Sequence, residues 1–292
     1  MADGILIIDK PQDWTSMDVC AKLRGIYKEK RVGHAGTLDP MATGVLPVFI
    51  GKATKAVSFA EDGHKEYIAG LRLGITTNTQ DTTGEVLTES PVTVKAEDVE
   101  AVLPRFTGEI LQLPPMFSAI KKDGKKLYEL ARKGQEVERK RRAITIFELE
   151  LLEQVSEDQF LIRVLCSKGT YVRTLCHDIG QALGCGGAMS SLRRTMAAGF
   201  TLEQAVTLED VQKAADSGDA SPMLLPVDAY FSTYPVLTVE GSAEKKLRNG
   251  MTLVMPQLLP GKYRVYGAEN VFLALCQAEG GKLTTIKSFF EV

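Results

Sequence analysis

The residues best suited to chemistry lie in one irregular segment, GHAGTLDPMATGVLP, which spans residues 33–47. Its glycines allow the backbone to approach a ligand closely and to adopt positive φ angles. Pro40 fixes φ directly after Asp39, so the Asp39 carboxylate leaves a stiff turn in a defined direction. His34 adds an aromatic, polar ring five residues earlier. An Asp-Pro dipeptide also begins ordinary turns, so the dipeptide alone does not establish a site.

Other common kinds of active site are not indicated by the sequence. The three histidines never form HxH or HExxH, and none accompanies a cysteine pair, which argues against a zinc site. No GxxxxGKS or GxxxxGKT string is present, and no GxGxxG follows a strand, so no nucleotide-binding loop is predicted. GxSxG is also absent. The remaining chemistry is that of carboxylates, tyrosine and arginine, and it predicts an active site without a metal and without a cofactor.

Composition and cysteine use are typical of a soluble globular protein. The 292 residues are 44% hydrophobic and 25% charged, which is ordinary usage. No apolar run reaches the ~18 residues that a membrane helix requires, and the N-terminal MADGILIIDKP is unlike a secretory signal. The five cysteines form no CxxC motif, so reduced thiols are expected. We expect a cytoplasmic protein that does not contact a membrane.

Charge is distributed unevenly along the chain. The formal net charge is only −2, but residues 121–142 carry ten basic and four acidic side chains. Residues 143–230 carry six basic and twelve acidic side chains. A basic segment on an acidic body suits an RNA-binding groove, because repulsion from the body directs a polyanion to the segment. Charge alone, however, favours the simpler interpretation of a solvated helix face and hairpin.

The periodicity of apolar residues predicts strands and helices in an irregular order. Strands are predicted over 4–10, 65–74, 116–122, 143–155 and 160–167. Helices are predicted over 17–28, 95–106, 125–133 and 171–183. This order is not a regular βα alternation, so it favours an α+β fold with a mixed sheet. A change in composition near residues 217–235 predicts a boundary, followed by a small β-rich module with a helix over 242–249.

Five strings taken together resemble one known family. The irregular segment is accompanied, in order along the chain, by LIIDKP at 6–11, KEY at 65–67, SKGTYVRTL at 167–175 and SLRR at 191–194. They resemble the motifs of the bacterial tRNA pseudouridine-55 synthases, the TruB family. The resemblance implies the pseudouridine synthase fold over residues 1–230, with a largely antiparallel central sheet, helices and loop insertions. It also implies a monomeric, cofactor-free isomerase that converts uridine 55 in the T loop of tRNA to pseudouridine.

The resemblance further implies a catalytic set. Asp39 corresponds to the nucleophilic aspartate of these synthases. Tyr67 corresponds to the tyrosine that stacks on the target uracil and is proposed to take part in proton removal. Arg173 corresponds to the arginine that pairs with the catalytic carboxylate. The sequence leaves open whether the carboxylate attacks C6 of the ring, attacks C1′ of the sugar or removes a sugar proton.

Four further residues are implied to support the substrate. His34 corresponds to the histidine that fills the space left when the target nucleotide flips out of the RNA. Tyr171 and Leu192 correspond to residues that line the uridine pocket. Lys10 corresponds to a basic residue that helps hold the site.

Two other parts of the chain are implied to bind RNA. Residues 121–142 lie where the family carries an insertion that closes over the RNA arm. We therefore expect RNA-backbone contacts from Lys125, Lys126, Arg141 and Arg142. Residues 235–292 are similar in position and size to the PUA-like RNA-binding domain of these enzymes.

Two alternatives remain for the function. A non-catalytic RNA-binding or RNA-folding protein could use the same scaffold, although such a protein would not require the carboxylate of Asp39. A glycosidase acting on nucleosides would need a second acidic group as its general acid. The residue implied to pair with Asp39 is an arginine instead, which disfavours the glycosidase.

Overall fold

The computed structural model describes residues 2–61 and 63–290 of the chain. Met1 and Val292, the first and last residues of the two expected domains, lie outside this described part. The strands before residue 235 are β1 (Gly4–Lys10), β2 (Val32–His34), β3 (Thr43–Ile50), β4 (Lys65–Leu73), β5 (Ile75–Thr77), β6 (Val86–Glu89), β7 (Gly108–Gln112), β8 (Lys121–Lys122), β9 (Lys125–Lys126), β10 (Arg142–Gln154), β11 (Gln159–Cys166), β12 (Gly187–Ala197) and β13 (Phe200–Thr201). The α-helices are α1 (Ser16–Tyr27), α2 (Val57–Ala60), α3 (Ala96–Val102), α4 (Leu127–Ala131), α5 (Val172–Ala182) and α6 (Leu208–Asp216).

Most of these strands form one mixed sheet. Its strand order is β1-β3-β12-β4-β11-β10-β7, with β2 paired to β3 and β13 paired to β12. The pairing of β3 with β12 is parallel, and the other pairings of this sheet are antiparallel. The hairpins β5-β6 and β8-β9 lie outside it. The predicted α+β fold with a mixed, largely antiparallel sheet is therefore confirmed.

The centre of the sheet carries the hydrophobic core on one face. Along β4, the alternate residues Tyr67, Ala69, Leu71 and Leu73 are buried, as the period-two pattern predicts. Apolar residues of α1, α3, α5 and α6 belong to the same core cluster as this face. The sheet and these helices therefore place Tyr67 on a rigid, covered surface.

Helix α1 begins where the sequence predicts. Thr15 is its N-cap, and Thr15 and Asp18 form a capping box in which each side chain accepts the backbone N–H of the other residue. The first residue of the helix, Ser16, is buried against the loop that contains Asp39. A locally specified helix start therefore fixes a polar group beside the candidate site.

The residues after 235 form a second sheet. Its elements are β14 (Val236–Thr238), α7 (Gly241–Arg248), β15 (Leu253–Val254), β16 (Gly261–Tyr266), β17 (Phe272–Glu279) and β18 (Lys282–Ser288). The strand order is β14-β16-β17-β18-β15, and the sheet has a core cluster of its own. Phe231 joins it to the first part of the chain, with ring centroids 6.2 Å from Phe272 and 5.7 Å from Phe289.

The strand predicted over 116–122 is wrong for most of its length. Only Lys121–Lys122 is a strand. The carbonyls of Ser118 and Ile120 accept N–H groups from residues 128 and 127, at 3.1 and 2.8 Å. Because these carbonyls bond to the following helix, they are not part of a sheet ladder.

Two predicted helices are shorter than expected. The helix predicted over 125–133 begins only at Leu127, because the two lysines before it pair in a hairpin around Asp123 and Gly124, which both have positive φ. The helix predicted over 95–106 is α-helical only as far as Val102 and continues as a 3₁₀ turn that contains Pro104. Proline lacks the N–H that an α-helix would use there.

Candidate active site

Asp39 lies in the loop between β2 and β3, and neighbouring elements hold this loop on both sides of it. Before Asp39, the Ser16 hydroxyl accepts the N–H of Leu38 at 2.9 Å and donates to the Leu38 carbonyl at 3.2 Å. After Asp39, the Pro40 carbonyl accepts a hydrogen bond from Lys10 Nζ at 3.2 Å. The backbone is therefore fixed before any ligand binds, and the carboxylate is preorganised.

Arg173 lies directly against Asp39. Its Nε is 3.0 Å from Asp39 Oδ2. Arg173 is the second residue of α5, and only 8% of its side chain is exposed, whereas 39% of the Asp39 side chain is exposed. The carboxylate is thus anchored by a buried cation and remains accessible to a ligand.

A second carboxylate, on Asp81, also contacts Arg173. Asp81 lies between β5 and β6, is buried, and places Oδ2 3.6 Å from Arg173 Nη1. Its Oδ1 accepts hydrogen bonds from the Thr79 hydroxyl and from both the N–H and the hydroxyl of Thr83. Arg173 also donates to the carbonyls of Thr79 at 3.2 Å and Phe117 at 2.9 Å. These contacts fix the guanidinium plane in front of Asp39.

Tyr67 lies on β4 and is 7% exposed. Burial raises the pKa of Tyr67, the Asp39 carboxylate raises it further, and Arg194 on the neighbouring strand opposes this shift. Leu192 is paired across the ladder with Ala69, two residues along β4, and is also buried. The structure therefore places Tyr67 within electrostatic reach of Asp39, with Leu192 on an adjacent strand.

Tyr171 is the N-cap of α5, where an amide side chain holds its backbone. Gln112 Oε1 accepts the Tyr171 N–H at 2.8 Å, and Gln112 Nε2 donates to the Tyr171 carbonyl at 3.1 Å. Burial raises the pKa of Tyr171, while the positive charges of Arg142 and Arg173 lower it. The reciprocal amide pair sets the start of the helix that carries Arg173.

Lys10 is fully buried at the end of β1. Its Nζ donates to the carbonyls of Pro11 at 2.8 Å, Trp14 at 2.7 Å and Pro40 at 3.2 Å. Burial lowers the pKa of Lys10 to about 8, although nearby carboxylates, including that of Asp39, act in the opposite direction. Lys10 therefore holds the backbone of the Asp39 loop from the protein interior.

His34 is the last residue of β2 and is half-buried. Its Nδ1 is buried and has no hydrogen-bond partner within residues 2–61 and 63–290. Burial lowers the pKa of His34, and the positive charge of Arg194 lowers it further. The ring is therefore neutral at neutral pH.

The four basic residues expected to contact RNA lie apart from this cluster, with one exception. Lys125 and Arg141 are exposed, and Lys126 lies 5.4 Å from the centroid of the Tyr128 ring. Arg142 is paired across the ladder with Gln112, and its charge lowers the pKa of Tyr171. The insertion therefore joins the site through Arg142.

Two clefts lie away from these residues. One of about 530 Å³ is lined by residues 72–75, 89–92 and 157–158, and one of about 690 Å³ by residues of α3, β7 and β10. Neither contains Asp39, Tyr67 or Arg173. In the described part of the chain, no group of three or more His, Cys, Asp or Glu side chains could hold a metal ion. The same residues include no helix that is long and apolar enough to cross a membrane.

Comparison with known families decides the relationship. The model described as TruB family pseudouridylate synthase (N terminal domain) matches residues 24–172. The model described as tRNA pseudouridylate synthase B C-terminal domain matches residues 173–232. The chain belongs to the TruB family of pseudouridine synthases.

Relatives and solved structures agree with membership of the TruB family. The chain is 46% identical to the tRNA pseudouridine synthase B of Ralstonia pickettii over 93% of this chain and 86% of the relative. It is 44% identical to the protein of that name from Syntrophomonas wolfei, over 97% and 96%. A structure of an H/ACA RNP bound to a substrate RNA containing 2′-deoxyuridine has a TM-score of 0.74 and 26% identity, over 99% of this chain and 85% of that chain. The crystal structure of a Cbf5-Nop10-Gar1 complex has a TM-score of 0.74 and 27% identity, over 98% and 85%.

Three residues of this TruB-family site were not identified from the sequence. Asp81 lies in the turn NTQDTTG, where an acid among hydroxyl residues gives only a weak signal. Gln112 ends a strand with no motif around it. Arg194 belongs to the SLRR string, and a charged residue at an inward position of a strand could have marked it.

Proposed function

We propose that this pseudouridine synthase isomerises uridine 55 in the T loop of tRNA, with Asp39 as the nucleophile. The observation that carries the proposal is the 3.0 Å contact between Asp39 Oδ2 and Arg173 Nε. The contact holds the Asp39 carboxylate, a group that can act as a nucleophile, in a fixed orientation. The Asp39 side chain is 39% exposed, so a ligand can reach it.

The reaction requires no external reagent. The N1–C1′ bond of uridine breaks, the base rotates, and C5 joins C1′, so the product is an isomer of the substrate. The Asp39 carboxylate can assist by attacking C6 of the base, by attacking C1′ of the sugar or by removing a sugar proton. In each case the fixed position of Arg173 keeps the carboxylate aimed at the nucleoside while charge develops.

The target base must leave the RNA stack before it can reach Asp39. Extrusion of a base costs a few kcal/mol, which stacking and hydrogen bonds in the pocket offset. Tyr67 and Leu192 lie side by side on the buried face and provide apolar contacts for the uracil. We assign to the neutral ring of His34 the place that the base vacates.

The rest of the RNA is held by two surfaces outside the pocket. We propose that residues 121–142 bind the phosphates of the T arm through Lys125, Lys126, Arg141 and Arg142. We further propose that residues 235–292 form a PUA-like RNA-binding domain attached to the catalytic domain of residues 1–230. The second sheet, with its own core, supports this division. We propose that the reaction takes place in the cytoplasm, which a tRNA substrate supports.

Product mapping tests the proposal. Unmodified tRNA transcript is incubated with the protein without cofactor or metal, and pseudouridine is located by chemical labelling and primer extension. We expect one stop at the T-loop uridine with wild type and no stop with Asp39→Asn. Asp158→Asn is the matched control, because Asp158 pairs with Arg72 at 2.7 Å far along the same sheet. A stop that persists in Asp39→Asn would overturn the role of Asp39.

The same variants separate the enzyme from a non-catalytic RNA-folding protein. We expect Asp39→Asn to bind tRNA as tightly as wild type, because Arg173, Tyr67 and the basic insertion are unchanged. An absence of pseudouridine with wild-type protein, combined with tight tRNA binding, would favour the RNA-folding role.

A further inference from the structure

Arg194 is a buried cation next to the candidate active site, and the proposed reaction gives it no role. It is the largest of the fully buried side chains in the described residues. Its Nε donates to the Val45 carbonyl at 2.7 Å, and its Nη2 donates to the Gly36 carbonyl at 3.0 Å. Nη1 has no acceptor, and the side chain has no carboxylate partner, among residues 2–61 and 63–290. An unsatisfied buried donor is costly, so a compensating function is expected.

The register of the sheet places this cation beside Tyr67. Arg194 on β12 is the Cα partner of Tyr67 on β4, in an antiparallel pair. Residues directly opposite each other in such a pair project from the same face, with Cβ atoms about 4.5–5.5 Å apart. A Cβ built on Gly36 would lie 3.4 Å from Arg194 Nη1. Nη1 therefore lies where the loop that contains Asp39 meets the strand of Tyr67.

The charge of Arg194 acts on the groups around it. It lowers the pKa of Lys10 from β1, of His34 from β2 and of Cys166 from β11. The Cys166 thiol and the Asp39 carboxylate raise the pKa of the Tyr67 phenol, and Arg194 lowers it. Burial remains the largest influence and raises the pKa of Tyr67. Arg194 is thus the group that opposes the effect of burial on the phenol.

We propose that Arg194 is a positioning residue for the isomerisation, which stabilises the Tyr67 phenolate by a positive charge fixed directly across the ladder. The role rests on the proposed function. After C5 has joined C1′, C5 still carries its hydrogen. The Tyr67 phenolate oxygen accepts that proton and the C–H electron pair forms the C5=C6 double bond. The electron pair of the C6=N1 double bond moves to N1, which takes up a proton from water. Tyr67 then returns its proton to solvent.

The test changes the charge of Arg194 and the acidity of the phenol independently. Fluorinated tyrosines of increasing acidity replace Tyr67 in wild type, in Arg194→Gln and in Arg194→Lys. The ionisation of residue 67 is followed by absorbance, and single-turnover pseudouridine formation is measured on tRNA transcript. Arg193→Gln is the matched control, because Arg193 is adjacent on β12 but pairs with Asp9 at 2.8 Å on the other face.

We expect Arg194→Gln to raise the titration midpoint of residue 67 by about one pH unit or more and to slow turnover at least tenfold. A more acidic tyrosine at position 67 should restore part of the lost rate, which a merely structural role of Arg194 would not allow. An unchanged midpoint, or an equal rate loss with every tyrosine, would overturn the proposal.

Two further results have fixed meanings. If Arg194→Gln does not fold, the neutral variant Arg194→Met decides: a raised midpoint supports the role, and an unchanged midpoint contradicts it. If wild-type protein forms no pseudouridine, the proposed function fails, whereas an active wild type with an unresponsive Tyr67 refutes only the role of Arg194.

Discussion

The interior of the candidate site and the basic insertion contrast in how their charges are held. Around Asp39, the cations Lys10, Arg173 and Arg194 are buried and bonded to backbone carbonyls or carboxylates. In residues 121–142 most of the charged side chains are exposed. Chemistry requires groups in fixed positions, whereas attraction of a polyanion requires only net charge near its path. The two regions should therefore respond differently to substitution.

Among substitutions that leave Asp39 in place, the largest effect on rate is expected from Arg173→Lys. Lysine keeps the charge but cannot contact Asp39, Asp81 and two carbonyls at once. We expect the single-turnover rate to fall about 100-fold or more, roughly 3 kcal/mol in activation free energy. Arg72→Lys is the matched control, since Arg72 forms an ion pair remote from the site. A loss of less than tenfold would show that charge alone suffices there.

Charge reversal in the insertion should mainly weaken binding. We expect the combined variant K125E, K126E, R141E and R142E to raise the KM for tRNA about 10- to 100-fold and to reduce the salt dependence of binding. The rate at saturating RNA should change much less. Lys22→Glu with Lys213→Glu reverses two exposed lysines on α1 and α6 as a control. Wild-type affinity of the combined variant at moderate salt would show that the segment is only a solvated face.

Gln112→Leu should cause an intermediate loss of stability and of catalytic rate, because it removes both hydrogen bonds to the backbone of Tyr171. The unpartnered backbone groups should lower the free energy of unfolding by about 1–3 kcal/mol. The displaced start of α5 should lower kcat several-fold with little change in KM. Urea denaturation and steady-state kinetics measure these quantities, with the exposed Gln154→Leu as control. Unchanged stability and kcat would mean that α5 is positioned without this amide.

Lys10→Met should have the smallest effect, visible in the pH dependence of stability. The pKa of Lys10 is about 8 in the folded protein and 10.5 when unperturbed. Between these values the unfolded chain binds more protons, so Lys10 makes stability rise with pH. We therefore expect the unfolding free energy of wild type, relative to Lys10→Met, to increase from pH 8 to pH 10. A constant difference, as expected for the exposed Lys22→Met, would show that Lys10 is not desolvated.

The sequence predicted the fold better than it predicted the insertion. Strands such as β4 and β11 carry strong alternation, and the cap of α1 is encoded by Thr15 and Asp18. In the insertion, the Asp123-Gly124 turn formed a hairpin where the apolar spacing indicated a helix. Short helices and strands that bury no face show no clear apolar periodicity. Their structure is therefore decided by tertiary contacts, which the sequence pattern does not indicate.

Some site residues could be predicted from the sequence and others could not. Asp39 and Arg173 were assigned from family strings, because their positions lie in long, specific motifs. Asp81 and Gln112 contact the site from distant turns and strand ends, and no local pattern marks such contacts. Arg194 lay inside a recognised string, but its importance comes from burial without a carboxylate partner, which only the structure reveals.

The most direct test of the account measures affinity and rate on one variant, Asp39→Asn. Its tRNA affinity is determined by filter binding, and its single-turnover pseudouridine formation is followed with enzyme in excess. The account predicts an affinity close to wild type and a rate at least about 10⁴-fold lower, roughly 5.5 kcal/mol. A rate near that of wild type would contradict the claim that the Asp39 carboxylate, held by Arg173, carries out the chemistry.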